Sequence, residues 1–189
     1  MKQKIALLTL GIMGFSAAHT GISSTSSFMQ GFSHPLTGLD HLLAMVAVGI
    51  WATQLKGKAV WAVPATFVLL MLLGGVLGML GMALPFVETG ILASVLLLGL
   101  LILLQARFSL MSSMALVGLF AVFHGHAHGA EMPATATGLQ YALGFVLATA
   151  GLHLSGLAVS LLLKRLLPAQ TLRYTGLGVL LGGLSLMFA

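Results

Sequence analysis

Residues 60–83 read VWAVPATFVLLMLLGGVLGMLGMA and contain no charged side chain. An α-helix needs about 20 such apolar residues to cross the ~30 Å hydrocarbon core of a bilayer. Across all 189 residues, 59% are hydrophobic and only 6% are charged, whereas a typical soluble domain has about 25% charged residues. This composition predicts an integral membrane protein and excludes a soluble enzyme, a nucleic-acid-binding domain and a disordered tail.

The run belongs to a set of six apolar stretches: residues 35–55, 60–83, 90–105, 109–130, 136–163 and 173–188. In lipid every backbone polar group needs an internal partner, and no stretch shows the alternation typical of a barrel strand. We therefore predict an all-α fold, a bundle of six transmembrane helices that occupies residues 34–189. Three glycine pairs have the small-xxx-small spacing that favours close helix packing: Gly74/Gly78, Gly125/Gly129 and Gly178/Gly182.

The first eighteen residues have the features of a cleaved secretory signal peptide. Lys2 and Lys4 precede an apolar run over residues 5–15, and the small residues 16–18 (SAA) are typical of a cleavage site. An uncleaved first helix is the alternative. Residues 19–33 are rich in Ser, Thr and Gly, which predicts a flexible periplasmic arm.

The net charge of +5, from eight Lys and Arg against three Asp and Glu, is best interpreted through membrane topology. If the mature N-terminus lies outside, Glu88 and Glu131 fall in outer loops. Six basic residues then fall on the cytoplasmic side, as the positive-inside rule requires: Lys56, Lys58, Arg107, Lys164, Arg165 and Arg173. This pattern predicts a multi-pass protein of the bacterial inner membrane with both ends periplasmic.

Ionisable side chains inside membrane helices are costly and by default mark a functional site. Pro35 suits the first turn of a helix and disfavours helical geometry at His34, so we expect His34 at the outer mouth. His41 would then lie nearly two turns deeper on the same helix, with Met45 one turn below it as a further ligand. Asp40 would either bind a metal or orient an imidazole.

A second cluster ends the fourth stretch, where residues 124–131 read HGHAHGAE. His124, His128 and Glu131 fall within about 60° of one helix face, a spacing typical of metal ligands. His126 points away from that face, so it either faces another helix or joins the site through an unwound turn. His153 lies deeper, in the fifth stretch.

The residue types predict a site for a borderline divalent cation. The chain has no Cys, and imidazole with carboxylate suits Ni²⁺, Co²⁺, Zn²⁺ or Cu²⁺ without choosing among them. Glu88 and, after cleavage, His19 are candidate outer ligands. Because both clusters lie in the outer half of the membrane, their arrangement is typical of an access route for an ion.

Residues 34–49 (HPLTGLDHLLAMVAVG) resemble the signature helix of the HupE/UreJ family of nickel and cobalt permeases. Residues 123–131 (FHGHAHGAE) and 148–156 (ATAGLHLSG) resemble two further motifs of that family. The resemblance implies a secondary permease, not an enzyme, that imports Ni²⁺ for hydrogenase or urease maturation. It implies no resident cofactor, and it implies the nickel chaperones of those enzymes as partners.

The metal-related residues of the family carry over to this chain by position: His34, Asp40, His41, His124, His126, His128, Glu131 and His153. Three alternatives remain: a Co²⁺ or Zn²⁺ permease that uses the same residues, an intramembrane metalloenzyme, and a metal sensor.

Overall fold

The computed structural model describes residues 26–188, and within them every regular element is helical. The α-helices are α1 (Ser27–Thr37), α2 (Leu39–Leu55), α3 (Ala59–Met79), α4 (Val87–Leu103), α5 (Leu110–Ala130), α6 (Gly138–Leu166) and α7 (Arg173–Ser185). Short 3₁₀ segments, Ala169–Leu172 and Leu186–Phe188, flank α7. The all-α expectation is confirmed, and the last five predicted stretches coincide with α3 to α7 to within a few residues. The predicted signal peptide lies outside the described residues.

Four helical segments are long and apolar enough to cross a membrane: α3, α5, α6 and Gln170–Phe188. Helices α1 and α2 together make a fifth candidate span, although it is bent by 82°. Helix α4 is apolar but has only 17 residues, or about 25 Å at 1.5 Å per residue, which falls short of a ~30 Å core. The described chain is therefore an all-helical membrane protein with four to five spans by length and composition, where the sequence predicts six.

The start of the bundle differs from the sequence expectation. Helix α1 begins at Ser27, where the Ser26 hydroxyl accepts a hydrogen bond from the backbone N–H of Met29. Residues 27–33, predicted to be part of a flexible arm, are therefore helical. This cap lets the helix begin well before Pro35, which lies inside α1 rather than in its first turn.

His34 and His41 consequently occupy two helices, and the expectation of one continuous helix is wrong. Pro35 removes a hydrogen bond from the end of α1, and the helix stops at Thr37. Gly38 then adopts an extended conformation (φ −88°, ψ 119°) before α2 begins. The sharp bend at this point aims α1 and α2 in different directions.

Glycines determine how closely the helices pack. Gly74 and Gly78 of α3 lie against the backbone of α5, and Gly125 and Gly129 of α5 lie against the backbone of α3, so a Cβ at any of them would overlap main-chain atoms. The α2–α6 contact uses Gly49 and Gly156, α1–α6 uses Gly31 and Gly144, and α4–α7 uses Gly99 and Gly176 in the same way. The prediction for Gly178 is wrong, since no atom lies within 4 Å of its would-be Cβ.

The charged residues separate to opposite ends of the bundle. One end carries a pocket of about 250 Å³ whose lining includes Asp40, Glu88 and Glu131, the only acidic residues of the chain. At the other end, a pocket of about 160 Å³ is lined in part by Lys56, Arg107 and Lys164. We call these ends the acidic end and the basic end.

Candidate metal-binding site

The pocket at the acidic end forms where α1 and α5 finish and where α2 and α4 begin. It combines imidazoles and carboxylates that are far apart in sequence: His34, Thr37, Gly38, Asp40, His41, Glu88, Ala127, His128 and Glu131 line it. Glu88 is an exposed member of this lining in the first turn of α4. The fold thus brings both predicted clusters to one opening.

Helix α5 carries His124 and His128 into the bundle, where both side chains are fully buried. Because α5 stays helical through Ala130, the four-residue spacing puts the two imidazoles on one face. Glu131 follows as the C-cap residue, and its Oε2 accepts a hydrogen bond from His34 Nε2 at 2.8 Å. This hydrogen bond ties the end of α5 to α1.

Five imidazoles lead from the pocket into the middle of the bundle, and we call them the histidine file: His34, His128, His41, His124 and His153. The ring centroids of His34 and His128 are 4.8 Å apart, and those of His128 and His41 are 4.5 Å apart. His41 is 4.7 Å from His124. From the pocket inward, the rings belong to α1, α5, α2, α5 and α6. The order of the file is therefore not the order of the sequence.

Phe67 of α3 separates the deepest histidine from the rest. Its fully buried ring lies 5.6 Å from the ring of His124 and 5.1 Å from that of His153. Sequence reasoning did not identify Phe67, because one aromatic residue in an apolar helix carries no distinguishing signal. Its position makes it the one apolar break in the file.

Hydrogen bonds fix which nitrogen of His41 carries the proton. Its Nδ1 lies 2.7 Å from Asp40 Oδ1, which also accepts from the His41 backbone N–H. A carboxylate oxygen only accepts, so Nδ1 is the donor and Nε2 keeps a free lone pair. That Nε2 is buried and has no hydrogen-bond partner in the part of the chain that the structure describes. Asp40 therefore orients an imidazole, one of the two roles that the sequence leaves open for it.

His124 is held in the same way by a residue that the ligand prediction omits. The Ser94 hydroxyl donates to the Ile91 carbonyl at 2.6 Å, and the same oxygen lies 2.8 Å from His124 Nε2. Because the hydroxyl proton is already used, Nε2 donates to Ser94 and Nδ1 keeps its lone pair. Ser94 is the only polar side chain of α4 beyond its first turn, and this is the signal that identifies it.

His153 and His128 complete the file with further free nitrogens. His153 Nδ1 donates to the Met45 carbonyl at 2.8 Å, and its Nε2 is buried without a partner among residues 26–188. The hydrogen bond uses the backbone of Met45 and not the thioether that the sequence proposes as a ligand. Both ring nitrogens of His128 are buried and unpartnered in the same sense, and its ring stacks on Phe145.

One predicted histidine within the described residues is not part of the file. His126 Nε2 donates to the Met82 carbonyl at 2.7 Å, so this ring faces the α3–α4 connection. Because α5 is not unwound, His126 does not join the file, and its ring contacts a connecting segment and not another helix, as the first alternative had it. His19 lies outside the described residues.

No group of three or more His, Asp or Glu side chains within residues 26–188 is arranged to hold a metal ion at once. Metal–imidazole bonds are about 2.0–2.1 Å long, whereas neighbouring rings of the file pack edge to face or tilted. A cation would thus need modest rotations of the rings to gain more than one or two ligands.

The membrane helices and the buried histidines together define a membrane protein of the metal-transport type. Residues 7–186 match the family described as HupE / UreJ protein. The chain is 42% identical over 181 residues to "Protein HupE" of Rhizobium leguminosarum bv. viciae, covering 96% of this chain and 94% of that relative. No solved structure matches the chain.

The protein belongs to the HupE/UreJ family, as both similarities cover nearly the whole chain. Members of this family are in general accessory proteins of nickel and cobalt transport. The resemblance found in the sequence motifs is therefore confirmed.

Proposed function

We propose that this protein is a permease that imports Ni²⁺ across the bacterial inner membrane through the histidine file. The observation that carries the proposal is the series of imidazoles that runs from an acid-lined pocket to the buried His124, with His153 beyond the Phe67 ring. In three of these rings one nitrogen donates a hydrogen bond, and the other has no hydrogen-bond partner among the described residues: His41, His124 and His153. A bare ring nitrogen is the form of histidine that binds a metal.

The chemistry of the file supports a borderline divalent cation as cargo. Neutral imidazole with carboxylate and no thiolate suits Ni²⁺ and Co²⁺ and does not suit soft monovalent copper. Membership in the family favours nickel, with cobalt as the alternative cargo. Release is as necessary as capture in a permease, and a file without a closed cage favours release.

The charge distribution supports the direction of transport. The positive-inside rule puts the basic end in the cytoplasm, so the acidic pocket would open to the periplasm. In this orientation we count six spans, of which α4 is the shortest, and we take the signal peptide to be cleaved. Both ends of the mature protein would then lie outside. A divalent cation moving inward gains roughly 4.6 kcal/mol at 100 mV, because each charge gains about 2.3 kcal/mol. The membrane potential alone would therefore drive accumulation.

Inside the cell, the imported nickel would supply hydrogenase or urease maturation through the nickel chaperones of those enzymes. The protein itself would move the ion without chemical change, so we propose neither an enzymatic activity nor a resident cofactor.

The test is ⁶³Ni²⁺ uptake in a host that lacks its own nickel importers, at matched membrane expression. We expect Asp40→Ala and His41→Ala to abolish uptake, because they remove one free imidazole and the carboxylate that orients it. His126→Gln is the matched control, because it changes an α5 histidine outside the file and retains a donor for the Met82 carbonyl. It should leave uptake near the wild-type level.

Competition identifies the cargo. If excess Co²⁺ blocks uptake no better than unlabelled Ni²⁺, nickel is the cargo, whereas stronger inhibition by Co²⁺ or Zn²⁺ reassigns the permease to that metal. If the wild-type protein gives no uptake above the empty host, the permease proposal is wrong.

A further inference from the structure

Below His153 the contact between α2 and α6 continues toward the basic end, past the buried Ser160 to the half-buried Lys164. His153, Gly156, Ser160 and Lys164 follow one face of α6 at spacings of three or four residues. Each of them contacts α2, through a hydrogen bond or a close backbone approach. The proposed function uses only the first of these residues.

Two hydroxyls lie on this line about 10 Å below His153, since Ser160 is seven residues further along α6. Thr53 and Ser160 are both buried, and their hydroxyls are hydrogen-bonded to each other. Thr53 donates its own proton to the Ile50 carbonyl at 2.7 Å, so Ser160 is the donor between the two. Both hydroxyl protons are therefore used in this arrangement.

Gln54 is the next residue along α2 and carries an unsatisfied oxygen at the basic pocket. Its side chain is 8% exposed, and its Nε2 donates to the Ile102 carbonyl at 3.1 Å. Its Oε1 is buried and has no hydrogen-bond partner within residues 26–188. We call Thr53, Gln54 and Ser160 the inner oxygen layer. An unpartnered buried carbonyl oxygen in this layer indicates that the layer can accept a further donor or a cation.

The positively charged ammonium group of Lys164 contacts a residue of this layer. Its Nζ donates to the Thr53 carbonyl at 3.0 Å, and it lines the basic pocket together with Gln54. No carboxylate neutralises it, because the three acids of the chain all line the pocket at the opposite end. The ammonium group is bound by a neutral carbonyl oxygen, a ligand type that divalent cations also use.

The seam between His153 and the inner oxygen layer is closed. Gly49 of α2 lies against the His153 carbonyl, and Gly156 of α6 lies against the Val46 carbonyl, so the two backbones are in contact. A cation at His153 can reach the basic end along this seam only if α2 and α6 separate and Lys164 leaves the layer.

We propose that the inner oxygen layer is the exit site for the divalent cation and that the Lys164 ammonium is the gate that occupies it. This inference rests on the proposed function and extends it to the inner half of the protein. Two cations repel each other at one set of oxygens, so an arriving ion displaces Lys164 toward the basic pocket. Oxygen ligands bind a borderline metal more weakly than imidazole, so the layer releases the ion, and the returning Lys164 blocks backflow.

The first test compares Lys164→Met with Arg165→Met, which removes an equal charge from the neighbouring position. Full-length protein in liposomes is loaded with ⁶³Ni²⁺, and the efflux into nickel-free buffer is measured. We expect Lys164→Met to leak several-fold faster than wild type, Lys164→Arg to restore retention, and Arg165→Met to behave as wild type.

The second test does not depend on flux. Because the chain has no Cys, Ser160→Cys introduces a unique thiol into the layer. We expect a membrane-impermeant maleimide supplied at the basic end to label it several-fold faster when Lys164 is Met, and we expect Ni²⁺ to slow that labelling.

The outcomes separate the two proposals. If labelling and efflux are the same with Lys and with Met at position 164 while wild type still imports nickel, the gate is wrong and the permease stands. If wild type carries no nickel and Ni²⁺ leaves labelling unchanged, the permease and the exit site both fail.

Discussion

At the residue scale, the same hydrogen-bonding pattern recurs at three histidines of the file. His41, His124 and His153 each donate one ring N–H to a fixed acceptor, respectively a carboxylate, a hydroxyl and a backbone carbonyl. In each case the second nitrogen is buried and has no hydrogen-bond partner within residues 26–188. The acceptor therefore selects the tautomer, and the tautomer decides which nitrogen meets a cation.

A substitution at Ser94 tests most directly whether the acceptor selects the tautomer of its histidine. In Ser94→Ala, His124 loses the acceptor that holds its proton on Nε2, so the proton can move to the nitrogen that would bind the metal. An unpartnered buried donor costs about 1–3 kcal/mol, and 1.4 kcal/mol is a tenfold change. We predict that the nickel concentration for half-maximal uptake rises by about tenfold.

Ser113→Ala is the matched control for that measurement. Ser113 is equally buried, and its hydroxyl donates to the Ser109 carbonyl, far from the file. Its uptake curve should coincide with that of wild type. A Ser94→Ala curve that also coincides with wild type would show that His124 Nδ1 takes no part in binding.

At the scale of elements, the break between α1 and α2 assembles the outer part of the site. A continuous helix would put His34 and His41 on one axis, about two turns apart. The break instead lets both rings contact His128 of α5, at 4.8 Å and 4.5 Å between centroids. Gly38 lies at this break, and its missing side chain leaves room for the Asp40–His41 pair.

We predict that Gly38→Ala impairs uptake without unfolding the protein. A Cβ at Gly38 would lie 2.8 Å from Asp40 Oδ1 and 3.2 Å from His41 Nδ1, so the hydrogen-bonded pair must shift. The backbone there (φ −88°) suits any residue, and the bundle should therefore keep its thermal stability, measured by the fluorescence of Trp51 and Trp61.

Gly151→Ala is the control, because no atom lies within 4 Å of a Cβ at Gly151. It should preserve both uptake and melting temperature. Equal uptake by the Gly38 and Gly151 variants would mean that the geometry of the Asp40–His41 pair does not limit transport.

At the scale of the whole molecule, the bundle is electrically asymmetric. All three acids line the pocket at one end, and three basic side chains line the pocket at the other. The acidic end attracts cations to the file, whereas the basic end contains the proposed gate. The same asymmetry determines the orientation expected in a membrane, because cytoplasmic loops carry an excess of Lys and Arg.

We predict that alkaline phosphatase fused to the C-terminus is active, since that end would be periplasmic. The same reporter fused after Lys58, in the α2–α3 connection, should be inactive, and a fluorescent protein that folds only in the cytoplasm should give the reverse pattern. An active phosphatase after Lys58 would invert the topology and with it the direction of transport.

The sequence by itself determined the membrane class, the approximate positions of α3 to α7 and the residue types of the site. These follow from composition and from short-range periodicity, which depend only on neighbouring residues. His124 and His128 share a face for that reason, since four residues along one helix nearly complete a turn.

Only the tertiary structure decided the order of the file and its partners. The Ser94 hydroxyl beside His124 and the Phe67 ring beside His153 depend on contacts between distant segments. The turning of His126 toward the Met82 carbonyl likewise depends on how α3 packs on α5. Such contacts are fixed by the close approach of whole helices, which no single stretch of sequence specifies.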